Sequence, residues 1–191
     1  HRFLVAESLR ESDIQSRSIL LEPIAKNTAP AIGAAVNLIA KDNPEALVLV
    51  LPSDHKIEDS DTFSHALEDA VNVANFGYLS AFGVPPDQPN TGYGYLKLGG
   101  AIDGTKNGFI LEQFVEKPSY SLAEEYFRSG SMLWNSGIYV FQAKTFLSEL
   151  KKYEPKIFNA TIDAVQEGVS DSSFYWLDKK AFESSPSLSI D

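Results

Sequence analysis

The sequence predicts an α/β domain with a largely parallel sheet and flanking helices. Three observations carry the prediction. Strand-like and helix-like segments alternate from Ile19 to Val84. An unbroken apolar run, Ala46-Leu47-Val48-Leu49-Val50-Leu51, stops at Pro52, as a buried strand does. Phe63, Ala66, Leu67, Ala70, Val71 and Ala74 recur at helical spacing over Thr62–Asn75, which makes an amphipathic helix. Strand, helix, strand, helix, strand at these lengths is the pattern of a βαβ sheet.

The elements follow in order. Phe3-Leu4-Val5 and Ile19-Leu20-Leu21 read as short strands around a polar, helical stretch from Leu9 to Gln15. Asn27 or Thr28 can cap a helix over Ala29–Ala40, with Pro30 in its first turn. Its alanines suit close packing on a sheet. The buried strand Leu47–Leu51 leads through Pro52-Ser53-Asp54-His55 to the Thr62–Asn75 helix, which Gly77 closes. Tyr78–Val84, Leu96–Leu98 and Phe109–Val115 are strands, and three prolines enforce a loop after the first of them. A helix over Ser119–Arg128 has Ser119 or Ser121 as its cap, and Gly130 ends it. Gly137–Phe141 is a strand. Helices over Lys144–Lys152 and Pro155–Gln166 are divided at Pro155, and a short one covers Asp178–Phe182. No repeat or linker interrupts the chain, so one compact domain over 1–191 is expected.

Composition narrows the chemistry. The chain has 191 residues, 43% hydrophobic and 22% charged, which is globular and leaves no place for a disordered or fibrous class. There is no cysteine, so thiol nucleophiles, thiolate zinc sites and disulfides are excluded. Three histidines offer little for a histidine-rich metal site. A net charge of −10 opposes unspecific binding to nucleic acid or an anionic membrane. A phosphate ligand must then be met locally, by lysines, backbone amides or a metal. No apolar segment is long enough to span a membrane, and no signal sequence opens the chain, so the cytoplasm is the expected compartment.

Several residues stand where chemistry is possible. Asp54 follows the apolar strand, at the edge where open sheets bind ligands, and a carboxylate there can take Mg²⁺ or cap the next turn or helix. Glu116-Lys117-Pro118 ends another strand. It is a surface ion pair, or else Glu116 accepts from ligand hydroxyls and Lys117 gives a point charge to a phosphate. Thr91-Gly92-Tyr93-Gly94-Tyr95 is a turn or a place of close backbone approach. Asn135, before Ser136-Gly137, makes a turn or reads hydroxyls with its amide. Lys26-Asn27-Thr28 lies at a helix N-terminus, which favours anions or simple capping. His65 reads as a surface or packing residue.

Taken in order, Leu21-Glu22-Pro23, Lys26-Asn27-Thr28-Ala29-Pro30-Ala31, Leu51-Pro52-Ser53-Asp54-His55, Thr91-Gly92-Tyr93-Gly94-Tyr95, Phe114-Val115-Glu116-Lys117-Pro118, Leu133-Trp134-Asn135-Ser136-Gly137 and Ser189-Ile190-Asp191 closely resemble the mannose-1-phosphate guanylyltransferase family. The likeness is greatest to the bacterial type that sometimes carries a mannose-6-phosphate isomerase domain. The resemblance implies a Rossmann-like nucleotidyltransferase domain with a mostly parallel mixed sheet. It implies transfer of GMP from GTP to mannose 1-phosphate, giving GDP-mannose and pyrophosphate. By the same resemblance Glu22, Lys26 and Asn27 bind the nucleotide, and Asp54 and Asp191 hold Mg²⁺. Tyr93, Gly94, Glu116 and Asn135 face the sugar, and Lys117 meets its phosphate. Asp54, Lys117 and Asp191 form the catalytic set. Many members have arginine where this chain has Lys26, which replaces a planar fork with a point charge.

A phosphate monoester is already a nucleophile, so the implied reaction needs no activated Ser, Cys or His. Positioning and charge neutralisation carry it. The partners implied are GTP and mannose 1-phosphate, with self-association into a homo-oligomer open, and without nucleic acid or membrane. The family also has a Gly-rich loop with an arginine around the triphosphate. Nothing here matches it, so the N-terminal part is expected to be missing from this sequence. The competing expectations are another sugar-1-phosphate nucleotidyltransferase, or a non-catalytic sugar-nucleotide-binding domain.

Overall fold

The computed structural model describes residues 2–191. Their contacts divide the chain into two compact units where the sequence suggests one domain. The first comprises residues 2–44 with Phe146–Ile190, and the second Glu45–Thr145 with Asp191.

In the first unit, helices α1 (Arg2–Glu11) and α2 (Thr28–Ala40) enclose strand β1 (Ile19–Leu21) in sequence. Phe3-Leu4-Val5 is therefore helical, not a strand. Three adjacent apolar residues fit either period. The Phe3 ring meets Phe174 edge-on at 6.2 Å, and the Arg2 guanidinium sits 4.8 Å from the Trp176 ring centre. Further along, helix α6 (Pro155–Gln166) leads to strands β7 (Val169–Asp171) and β8 (Phe174–Trp176) and helix α7 (Lys179–Glu183). The strand order is β1-β8-β7, with β1 parallel to β8.

The small residues of α2 let it pack closely, as expected, but its main partner is α6, not a sheet. A Cβ on Gly33 would lie 3.2 Å from Leu150 Cδ2 and 3.3 Å from Thr161 Cγ2. Beside it the buried Asn37 donates to Thr161 Oγ1 at 3.1 Å, which satisfies a polar pair in the interior. Ala34, Ala164, Val165, Leu177 and Phe182 form the core of this unit. Burying one such phenylalanine stabilises by about 1.5–3 kcal/mol.

The second unit holds strand β2 (Leu47–Val50), helix α3 (Ser60–Asn75), strands β3 (Ser80–Val84), β4 (Tyr95–Ala101) and β5 (Phe109–Val115), helix α4 (Tyr120–Ser129) and the long strand β6 (Met132–Gln142). Helix α5 (Ala143–Tyr153) follows β6 directly and runs on into residues of the first unit. The α/β class stands, but the pairing is corrected. Every pairing in this five-stranded sheet is antiparallel. β2 and β3 both run opposite to β6, so they point the same way, as a β-α-β crossover requires. β6 lies between them and takes both ladders. The direction was legible in the alternation of elements; the inserted partner was not.

The apolar run is a further correction. Leu47, Leu49 and Leu51 are exposed, and only the alternate valines of β2 are half-buried. The strand is covered on one face, not two. Capping resolves the remaining alternatives. Asn27 caps α2, Asp59 caps α3 and Ser119 precedes α4, so Asp54 does not cap the helix that follows it. Against this sheet pack Ala70 and Ala74 of α3, beside Val140, and Ala123 of α4, beside Tyr95 and Met132.

Candidate functional site

Register assembles the site. Tyr95 pairs with Val115 on one side and Trp134 on the other. One step beyond, Gly94 falls between Glu116 and Asn135, across three neighbouring strands about 4.8 Å apart. The Asn135 amide donates to Gly94 O at 2.8 Å, and the Lys117 amide to Tyr93 O at 3.2 Å. A Cβ on Gly94 would stand 2.8 Å from Phe114 Cζ and 2.9 Å from Glu116 Oε2. Any side chain there would press on these two tips.

Lys117 has φ 43°, in the left-handed region, although the following proline favours extended backbone. The twist brings Lys117 Nζ to 2.8 Å from Glu116 Oε1, so side chains that strand alternation would send apart point together. The ion pair is open to solvent, with the lysine 62% exposed, so a ligand can reach it. The hydrogen bond that Lys117 donates to Glu116, then the charge of Glu116 and that of Asp191, raise the Lys117 pKa and keep it cationic.

β6 carries the other half. Its ladder with β3 runs from Ala81↔Tyr139 to Gly83↔Asn135, so Ser136, Gly137 and Ile138 bulge out opposite a single residue. Gly137 sits at φ 69° and donates to Asn135 Oδ1 at 3.2 Å. Both amide hydrogens of Asn135 are engaged: Nδ2 reaches Tyr139 Oη at 3.1 Å and Asp191 Oδ1 at 2.6 Å. Tyr139 in turn donates to the same Asp191 oxygen. Burial first, and then Asp191 and Glu116, push the Tyr139 pKa well above the ordinary phenol range, so it stays a donor. Tyr139 escaped the motif reading. The available signal was its spacing, since Asn135 and Tyr139 are an even number of residues apart with a glycine between.

Asp54 lies on the exposed turn after β2. Val50 of that strand pairs with Tyr139, and Pro52 Cγ would contact a Cβ on Gly137 at 3.5 Å. The turn therefore leaves the sheet beside the bulge. Two carboxylates, Asp54 and Asp191, offer hard oxygen donors of the kind Mg²⁺ takes, with water and phosphate oxygens left to complete its shell. The donor chemistry fits. Among the described residues no group of three or more His, Cys, Asp or Glu side chains gathers as a metal site.

The three nucleotide candidates lie in the first unit. Asn27 has φ 69° and ψ −172°, backbone that is close to glycine-only, and its side chain accepts from Thr28 N at 2.8 Å. Lys26 O accepts from Leu188 N at 3.2 Å, and Ala29 N donates to Leu188 O at 3.0 Å, so two amides of the α2 N-terminus, those of Thr28 and Ala29, are already bonded. Partial enclosure raises the Glu22 pKa. Of the four non-glycine residues at positive φ among the described residues, two are site candidates, Asn27 and Lys117. Strain of about 1–3 kcal/mol at such positions is characteristic of sites where geometry serves a ligand.

Comparison with known proteins gives the class to which the chain belongs. The chain belongs to the nucleotidyl transferase family, whose model matches residues 1–184. It is 44% identical over its whole length to the xanthan biosynthesis protein XanB of Xanthomonas campestris pv. campestris, strain B100, of which it covers 40%. It is 43% identical over its whole length to a mannose-1-phosphate guanylyltransferase of Escherichia coli K12, of which it covers 41%. A crystal structure titled mannose-6-phosphate isomerase from Helicobacter pylori superposes with TM-score 0.87 at 35% identity, over 100% of this chain and 74% of that one. The chain thus spans about two fifths of the length of the curated relatives it matches. Among the described residues no helix is long and apolar enough to cross a membrane.

Proposed function

We propose that this chain is the nucleotidyltransferase part of a mannose-1-phosphate guanylyltransferase, joining GTP and mannose 1-phosphate to give GDP-mannose and pyrophosphate. The observation that carries the reading is the convergence of Gly94, Glu116, Lys117 and Asn135 on three neighbouring strands, with Asp191 bonded to Asn135. Relatives with that name match the whole chain at about the same identity. The xanthan and alginate biosynthesis names of other relatives support GDP-mannose as the product, made for polysaccharide. A GTP-consuming reaction points to the cytoplasm. The mannose-6-phosphate isomerase name of the Helicobacter pylori relative agrees with a protein that also carries an isomerase domain.

In this reading a phosphate oxygen of mannose 1-phosphate attacks the α-phosphorus of GTP. The new P–O bond forms as the bond to the β-phosphate oxygen breaks, and pyrophosphate leaves with the electron pair. Lys117 holds the sugar phosphate by charge. Glu116 accepts from sugar hydroxyls beside the bare backbone of Gly94, under Tyr93. Asn135 has its N–H groups engaged within the site, so only its Oδ1 is placed to accept from the sugar. Asp54 and Asp191 would hold Mg²⁺, which when bound offsets repulsion between the phosphates. Glu22, Lys26 and Asn27 would meet the nucleotide.

The test is pyrophosphate release by the complete protein. GTP with mannose 1-phosphate is compared with ATP, UTP and CTP, and with glucose 1-phosphate. Preferred turnover of GTP with mannose 1-phosphate is expected. Faster turnover of another pair overturns the substrate assignment, and binding without turnover overturns the enzyme.

A further inference from the structure

Tyr139 belongs to none of the motifs, yet its hydroxyl joins two members of the site. It accepts from Asn135 Nδ2 at 3.1 Å and donates to Asp191 Oδ1. Asn135 Nδ2 reaches that same oxygen at 2.6 Å. A carboxylate can only accept, so the phenol must donate to it, and the phenol oxygen is then left to accept from the amide. Gly137 N closes the chain of bonds on Asn135 Oδ1 at 3.2 Å and sets which way that amide faces. Every direction in the network is determined.

We infer that Tyr139 is a positioning residue that, with Asn135, grips Asp191 by Oδ1 and so aims its carboxylate at a divalent cation. The inference rests on the proposed function, which makes Asp191 a metal ligand. The backbone supports it. On a regular strand four residues span about 13 Å, too far for an asparagine tip and a tyrosine tip to share one oxygen in this way. The bulge at Ser136–Ile138, with Gly137 at positive φ, shortens that span. Two donors on one carboxylate oxygen lock its rotation and lower the ordering cost of metal capture. Partners of this kind typically change metal affinity 10- to 100-fold, on the order of magnitude known for groups that orient ligands.

The experiment uses the complete protein and Tyr139→Phe, which removes the hydroxyl and keeps the ring. Mn²⁺ binding is read from the signal of free Mn²⁺ without nucleotide, alongside product formation against Mg²⁺ concentration. The expected result is a roughly 10-fold or larger rise in both the Mn²⁺ dissociation constant and the half-saturating Mg²⁺. The KM for mannose 1-phosphate stays within twofold, and lost rate returns as Mg²⁺ is raised. A loss caused by packing alone would not return with Mg²⁺. Mn²⁺ binding within twofold of wild type overturns the inference and leaves the transferase reading intact. If Asp191→Asn leaves Mn²⁺ binding unchanged, Asp191 is no ligand and the inference falls. If the wild-type protein forms no GDP-mannose, the transferase reading falls, and the Mn²⁺ titration of Tyr139→Phe still decides the positioning role.

Discussion

Asn135 Nδ2 lies 3.1 Å from Tyr139 Oη although the two residues stand four apart on the same strand. The bulge between them makes this possible, and Gly137, with φ 69°, makes the bulge possible. A Cβ at that position would meet only Pro52 Cγ, at the ordinary distance of 3.5 Å. The demand for glycine is thus conformational, not steric.

Gly137→Ala should therefore destabilise the protein by about 1–2 kcal/mol, the cost of a left-handed alanine. Gly137→Asn should cost less, because asparagine tolerates that region. Urea unfolding of the two variants checks this. Equal losses would mean that crowding, not backbone strain, is responsible.

Gly94→Ala tests crowding itself. Its Cβ would press Phe114 Cζ and Glu116 Oε2 at under 3 Å. Both are side-chain tips that can rotate away, so the stability loss should be about 1 kcal/mol, the low end for overpacking. The larger effect should be on function, because Glu116 must move. The KM for mannose 1-phosphate should rise while that for GTP holds. Unchanged kinetics for both substrates would remove Glu116 from the sugar site.

Lys117→Ala removes a charge-assisted contact worth about 1.5–3 kcal/mol, so kcat/KM for mannose 1-phosphate should fall ~10- to 150-fold. GTP affinity should change much less. An alanine variant within twofold of wild type would reduce the Glu116–Lys117 pair to an exposed ion pair of little energetic weight.

Asp69 gives the chain a pH signature. Its carboxylate accepts from the Lys106 and Asn107 amides at 3.0 Å each, tying α3 to the β4–β5 turn. The Lys106 amide foremost, and then the Asn107 donors and the Lys106 charge, hold its pKa below the ordinary carboxylate value. A depressed pKa adds stability above the unfolded pKa, about 3.9. That stability disappears as pH falls through the folded value. Urea midpoints at pH 5 and pH 2.5 should differ less in Asp69→Asn than in wild type. An identical pH slope in both would show that Asp69 is not linked to folding.

How far the site was legible depends on distance along the chain. Gly94, Glu116 and Lys117 sit at strand ends, Asn135 lies two residues before Gly137, and Pro118 follows Lys117; such punctuation is local. Tyr139 was not legible, because its role depends on a bulge whose ladder partner is β3, more than fifty residues earlier.

The same physics divides the fold. Periodicity and caps act over a few residues, so the sequence alone determined β5 over Phe109–Val115, α6 from Pro155 to Gln166, and Asn27 as one of two candidate caps for α2. It also determined that β2 and β3 run the same way, since a helix between two strands returns the chain. Tertiary structure decided what pairs with what. β6 inserts between β2 and β3 and makes the sheet antiparallel. Phe3-Leu4-Val5 lies in a helix, where the Phe3 ring meets Phe174. Leu47, Leu49 and Leu51 stay exposed on an apolar strand. Hydrogen-bond partners and burial are set by segments remote in sequence, and no local pattern encodes which remote segment arrives.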